Sequence, residues 1–408
     1  MSTSQPLCPT HPFIDFSLDL RRLGHEDWLL LGEAASKIGH VIGVPLQPDV
    51  AKRLHVVALV KGVRATTAIE GNTLTEEQVR QITERKLKLP PSKQYLQREV
   101  ENVLEACNSL FKAHRAEQAP TLDAAWIKAQ NALILRGLEV DEGITPGVWR
   151  PMVVGVSRYR APEPKYVDPL MRRFVVWLDE LTAESLREPS LRCPLQILRA
   201  VLAHLYIAWI HPFGDGNGRT ARLLEFALLL AAGVPSASAH ILSNHYNETR
   251  AAYYRELDRA SAARDVFGFI RYSLVGLVDG LREQIGVIQD QQIHVTWTEY
   301  VYKVVDPKSD ADKRRVHLLL DLARHGPTEG VATSALPSLT PRLMRAYATK
   351  TDKTLTRDLN ALQQQGLLER HEGLWAARLD LVRAFLPFTA NATRWTIPHT
   401  SEPASVDP

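Results

Sequence analysis

Residues 211–222 read HPFGDGNGRTAR and stand between two apolar runs, VLAHLYIAWI and LLEFALLLAAG. No other feature constrains the fold as much. Helices that are apolar on nearly every side are buried ones. The second run contains Glu225 and ends in Gly-Val-Pro, so it is shorter than the roughly twenty apolar residues that span a bilayer. The pair predicts two core helices of a mainly α bundle. The glycine-rich GDGNG between them is unsuited to helix interior and must be a loop.

The rest of the chain supports a helical bundle. Apolar residues recur at three- and four-residue spacing over 29–42, 50–69, 95–114, 122–135, 170–181, 250–260 and 266–288. One stretch breaks this period. In WRPMVVGVSRYRAPEPKYV, residues 149–167, Met152, Val154 and Val156 alternate with Val153, Gly155 and Ser157. A period of two predicts a short hairpin or flap, with a plain surface loop as the alternative.

VDPKSDADK reads as part of a linker over 289–312. Beyond it, three short amphipathic segments and a hairpin pattern over 313–386 predict a winged helix-turn-helix. The segment 387–408, ending HTSEPASVDP, reads as a disordered tail. The bundle itself divides into an N-terminal helical region, 1–115, and a core, 116–288.

The net charge of +3 is too small to argue for nucleic acid by itself. Cys8, Cys107 and Cys193 are scattered and lack CxxC spacing, which argues against a disulfide framework or a zinc site. The first residues, MSTSQPLCPTHPFIDF, show neither the basic nor the apolar region of a signal peptide. A cytoplasmic protein with no membrane partner is expected.

The loop carries the chemistry. Backbone N–H groups of a glycine-rich loop at a helix N-terminus bind anions. Arg219 and Arg222, three apart, share a helix face near that end, and the guanidinium fork suits phosphate oxygens. This is more positive charge than one carboxylate needs, so a polyphosphate fits better. Asp215 is the hard carboxylate that would hold magnesium beside phosphates. Asn217 can donate to a phosphate oxygen. His211 ends the preceding helix, because Pro212 cannot continue it, and is the group here that accepts a proton near neutral pH. No covalent nucleophile is in sight. The local reading is phosphoryl or nucleotidyl transfer to a hydroxyl of a second substrate.

HPFGDGNGRTAR also matches every position of the Fic family motif, HxFx(D/E)GNGRxxR. The chain resembles that family over roughly residues 15–285. The resemblance implies a helical bundle with a β-hairpin flap above the loop, and transfer of AMP from ATP to a Ser, Thr or Tyr hydroxyl of a target protein. It makes His211 the base, Phe213 the loop anchor and Asp215 the magnesium ligand. It gives the phosphates to Gly216, Asn217 and Gly218, the α and β phosphates to Arg219 and the γ phosphate to Arg222. The intact GNGRTAR argues against the related Doc kinases. Met152, Val153, Val154, Gly155, Val156 and Ser157 of the flap would hold the target as an added strand. A homodimer is a further expectation.

TTAIEGNTLTEEQ, residues 66–78, raises a second question. Gly71 reads as a helix C′ glycine, and Thr75 with Gln78 as a capping box for the next helix. Neither explains Glu70, since a carboxylate at a helix C-terminus is unfavourable by roughly several tenths of a kcal/mol. Thr66, Glu70 and Gly71 fit the Fic inhibitory motif (S/T)xxxE(G/N). The resemblance implies that Glu70 pairs with Arg222 and denies it to the γ phosphate. It also leaves open self-labelling and the reverse reaction, removal of AMP.

In the C-terminal segment, Arg342, Arg345, Lys350, Lys353 and Arg357 would suit DNA phosphates, while Asp352 and Asp358 dilute the charge, so a protein-binding or dimerising wing is the equal alternative. Two functional classes follow: a self-restrained protein adenylyltransferase, and a DNA-binding regulator with the bundle as nucleotide sensor. Tyr253 and Tyr254 are candidates for a base pocket, against a core-packing role.

Overall fold

The computed structural model describes residues 6–383, apart from residue 157 and residues 327–329. Two compact units divide near residue 286.

The first unit is built around the predicted helical pair. Helices α1 (His25–Gly43), α2 (Pro48–Ile69), α3 (Glu76–Thr83), α4 (Gln94–Arg115) and α5 (Ala124–Ile134) come first. Strands β1 (Gly155–Val156) and β2 (Tyr159–Arg160) follow, then α6 (Pro164–Arg187), α7 (Arg192–Ile210) and α8 (Asn217–Ala231). The unit closes with α9 (Ser236–Ala239), α10 (Ile241–Glu248), α11 (Arg250–Ala263) and the start of α12 (Phe267–Val305).

Helix α7 is the centre, buried from Pro194 to Ile210 except at Ala208. It packs on α1, α6, α8 and α11, while α8 packs on α2, α4 and α5. The stretch Pro189–Ile210 is long and apolar enough to cross a membrane, but 89% of its apolar window is buried inside the protein. That is what a core helix of a bundle looks like.

The flap is an antiparallel hairpin pairing Gly155 with Arg160 and Val156 with Tyr159. It is shorter than the alternation suggests, because only two residues on each side pair. Met152 and Val154 are half-buried while Val153 and Gly155 are exposed, so the period of two holds on the approach. Ser157 lies outside the described residues.

In the second unit, helix replaces the expected linker. Helix α12 continues to Val305 and α13 (Asp310–His325) begins after a Ser309–Asp312 capping box, so only residues 306–309 of the predicted 289–312 are non-helical. Trp297 and Val301 are the reason: both are fully buried in the second core, beside Leu319 and Leu322. Two anchors four residues apart favour a helix there, although the polar residues around them weaken the pattern.

The unit continues with β3 (Val331–Ala332), α14 (Pro341–Tyr347), α15 (Asp352–Gln364), β4 (Leu368–His371) and β5 (Leu374–Ala377). Its sheet has the order β3-β5-β4, all antiparallel. The three helices and the hairpin match the predicted order; β3 adds a third strand that two residues of sequence do not signal. The predicted tail, 387–408, lies outside the described residues.

Candidate active site

The loop between α7 and α8 is folded by three side chains, two of which lie outside the motif. The turn begins at His211, whose backbone is left-handed (φ 50°, ψ 58°), a conformation that costs a non-glycine residue roughly 1–2 kcal/mol. Arg150, only 2% exposed, offsets this. Its Nε donates to the His211 carbonyl at 2.6 Å, one terminal nitrogen to the Met152 carbonyl at 2.6 Å, and the other to the carbonyls of Pro162 and Ile210. Its own N–H donates to the Pro212 carbonyl. One guanidinium thus ties both ends of the flap to the turn at His211, entirely through main-chain carbonyls.

Asn131, fully buried on α5, does the same from the other side. Its Nδ2 donates to the Asp215 carbonyl and to the Thr220 hydroxyl, and its Oδ1 accepts from the Gly147 N–H. The third group is Asn217. Its Oδ1 accepts from the Phe213 N–H and its Nδ2 donates to the Phe213 carbonyl, both at 2.9 Å. The side-chain amide expected to meet a phosphate is therefore occupied in closing the loop. What Asn217 offers an anion is its backbone N–H. Phe213 is the core anchor as expected, 1% exposed and packed on Trp149.

Asn217→Ala should remove both loop-closing bonds and lower stability by about 2 kcal/mol, read as a lower denaturant midpoint at unchanged slope. Arg150→Met should leave several carbonyls unpartnered at about 1–3 kcal/mol.

The anion-binding end is in place. The first intrahelical bond of α8 runs from the Thr220 N–H to the Gly216 carbonyl. The N–H groups of Asn217, Gly218 and Arg219 precede it and have no helical acceptor. Gly216 takes a left-handed backbone (φ 75°), and a Cβ there would lie 3.0 Å from Asn131 Nδ2. Arg219, 7% exposed, donates to Glu99 Oε1 at 2.7 Å and more loosely to Asp215 at 3.3 Å. Glu99, on α4, also accepts from Asn72 Nδ2, and burial holds its carboxyl above the ordinary range. The Asp215 carboxylate is 44% exposed beside Arg219.

The imidazole of His211 makes one long contact, Nδ1 to the Ala208 carbonyl at 3.4 Å. A carbonyl only accepts, so Nδ1 carries the proton and Nε2 is the basic nitrogen. Burial lowers the imidazole's pKa, the Ala208 contact opposes that, and Arg150 lowers it further. The ring is therefore neutral at physiological pH.

Arg222, 1% exposed, meets the predicted inhibitory segment. One terminal nitrogen donates to Glu70 Oε1 at 2.5 Å and to the Thr66 carbonyl at 3.0 Å. Burial pushes the Glu70 carboxyl up, but Arg222 outweighs it and the net shift is downward. The end of α2 is rigidly capped. Gly71 (φ 104°) donates to Ala68, and Asn72 to Thr67, the two bonds of a Schellman motif. Arg250 and Tyr254 both donate to the Ile69 carbonyl. The Thr75–Gln78 capping box forms as read. Gly218 completes the fit: a Cβ there would sit 2.3 Å from Glu70 Oε1. Glu70 therefore lies directly over the N-terminus of α8.

Tyr253 is buried with its hydroxyl on His204 Nε2, and Tyr254 is the cap on α2 just described. Sequence reading missed Arg150, Asn131 and Glu99. A signal existed for two of them: an arginine entering an apolar alternating stretch, and a lone asparagine within the apolar run of α5. Glu99 looks like any surface glutamate of an amphipathic helix.

The Fic/DOC family model matches residues 121–229, the segment that carries the flap and the loop. The chain is 29% identical over 249 residues to protein adenylyltransferase Fic of Nematostella vectensis, covering 60% of this chain and 53% of that protein. It is 31% identical over 229 residues to protein adenylyltransferase fic-1 of Caenorhabditis elegans, covering 55% and 41%. The chain thus spans about half the length of these curated relatives, or less. Among solved structures, a Fic family protein from Desulfovibrio desulfuricans G20 aligns over 86% of this chain and 93% of its own, at 23% identity and a TM-score of 0.55. Fic-1 from C. elegans aligns over 64% and 73%, at 27% identity and a TM-score of 0.53.

Proposed function

We propose that this chain, which carries a Fic domain over residues 121–229, transfers AMP from ATP to a hydroxyl of a target protein and restrains itself through Glu70. One observation carries the reading. Within residues 211–222 stand a neutral imidazole, three N–H groups at a helix N-terminus that precede its first helical bond, and two buried guanidiniums. A polyphosphate answers all of them; a hydroxyl nucleophile answers the imidazole.

The phosphates lie on the N–H groups of Asn217, Gly218 and Arg219, with Arg219 and Arg222 neutralising their charge. The target hydroxyl attacks the α phosphorus, the bond to the β-bridging oxygen breaks, and pyrophosphate leaves. The hydroxyl proton passes to His211 Nε2. Asp215 fits magnesium, since one exposed carboxylate beside the phosphate site is the usual protein share of such a site. When bound, the ion would neutralise phosphate charge. Val153 and Gly155 are exposed, which suits a target segment added as a strand. At rest, Glu70 occupies Arg222, and the γ phosphate must displace it.

The reaction class is tested with the Glu70→Gly protein and ATP labelled either at the α or at the γ phosphate. Label on protein from the α position alone is expected. Label from the γ position alone would mean a kinase and overturn AMP transfer.

A further inference from the structure

We propose that the second unit binds duplex DNA, with the exposed face of α15 entering the major groove. The argument rests on where this helix puts its polar residues. Lys353, Thr356, Arg357, Asn360 and Gln364 follow at intervals of three, one, three and four, which places them on one stripe of a helix of 3.6 residues per turn. All five are exposed, and together with Asp352 and Ala361 they line a shallow depression along the helix. The apolar side, Leu355, Leu359 and Leu362, is spent on the core.

The charge of this face differs from what the sequence suggests. Asp358 does not lie on it. It is 1% exposed, its carboxylate accepts from Arg314 and Arg315, and the Tyr347 hydroxyl donates to it. Asp352, at the first position of the helix, is the acid left on the stripe. Arg345 and Lys350, both exposed, precede α15 in the chain.

The chemistry selects the partner. Protein interfaces centre on aromatic and aliphatic anchors, and this stripe presents none. Cations for phosphates, together with an asparagine and a glutamine whose amides pair with adenine N6 and N7, are what a major-groove helix carries. The helix, at thirteen residues, is long enough to lie in that groove.

The test uses the full chain and a fluorescein-labelled 30-bp random-sequence DNA duplex, read by anisotropy. Binding should weaken roughly 100-fold between 50 and 200 mM KCl if about four cations meet phosphates. Lys353→Ala/Arg357→Ala should reduce the slope of log affinity against log salt by about two, with an unchanged thermal midpoint. Selection from a random library should enrich one sequence class. Asn360→Ala/Gln364→Ala should abolish that preference while random-sequence binding persists. No salt-dependent binding, no enriched class, or unaltered binding by the double cation variant would overturn the proposal. Equal affinity for duplex RNA would as well, because the A-form major groove is too deep and narrow for side chains to read. So would capture of a protein by this face with no DNA affinity.

Discussion

Replacing Glu70 by glycine should raise protein labelling by α-labelled ATP about 10- to 100-fold. The reason is competition for one guanidinium. Arg222 is sealed in the core and needs an anion beside its guanidinium; Glu70 supplies it at 2.5 Å. A nucleotide that must first displace Glu70 binds productively only in the fraction of molecules where Arg222 is free, and its apparent affinity falls by that fraction. Both groups stay charged from pH 6 to 9, since Arg222 holds the Glu70 carboxyl below its ordinary value, so no pH in that range releases the brake. The variant also predicts a stability signature. Glycine leaves a buried cation unpaired, at about 1–3 kcal/mol once the 31% exposure of Glu70 is allowed for. The Glu70→Gly protein should therefore melt lower than the parent without ATP and gain more from saturating ATP. Equal labelling by parent and variant, both folded, would remove the autoinhibitory reading.

In the Glu70→Gly background, His211→Ala should cut transfer by roughly 10²- to 10⁴-fold while ATP affinity, by calorimetry, changes less than about threefold. The histidine touches no phosphate in the mechanism, so it belongs to rate and not to binding. Its depressed pKa sets the pH profile. The base is active when neutral, and burial delays protonation to below the ordinary value near 6.5. Transfer should keep more than half of its pH 8 rate at pH 6.5 and lose the rest below that. Stability follows the same sign: the unfolded chain takes up this proton first, so the contribution of neutral His211 is present above about pH 6.5 and is lost as pH drops through the unfolded and then the folded value. A rate already halved at pH 6.5 would contradict an imidazole kept neutral by burial.

Much of the site is legible without coordinates because its chemistry is local. The loop must be a loop, α8 must follow it, and His211 must close α7 before a proline. The end of α2 is equally local: Gly71 and the Thr75–Gln78 box each act within a few residues, and both form as read. The shape of the second unit follows from spacing too, except where two buried anchors, Trp297 and Val301, extend α12 through an expected linker.

By itself the sequence determined which groups stand in the loop and that Glu70 sits uneasily at a helix end, because spacing along a helix fixes both. Only the tertiary structure decided how those groups are used. It turned the Asn217 amide inward onto Phe213 and took Asp358 off the face of α15; the meeting of Glu70 and Arg222 across 152 residues of chain, which the family motif implied, is no part of any local spacing either. It also brought Arg150 and Asn131 to the loop from elements that share no pattern with it. The physical reason is common to all of these. A buried donor or acceptor must find a partner wherever the packing offers one, and that partner is chosen by proximity in space, which periodicity along the chain does not encode.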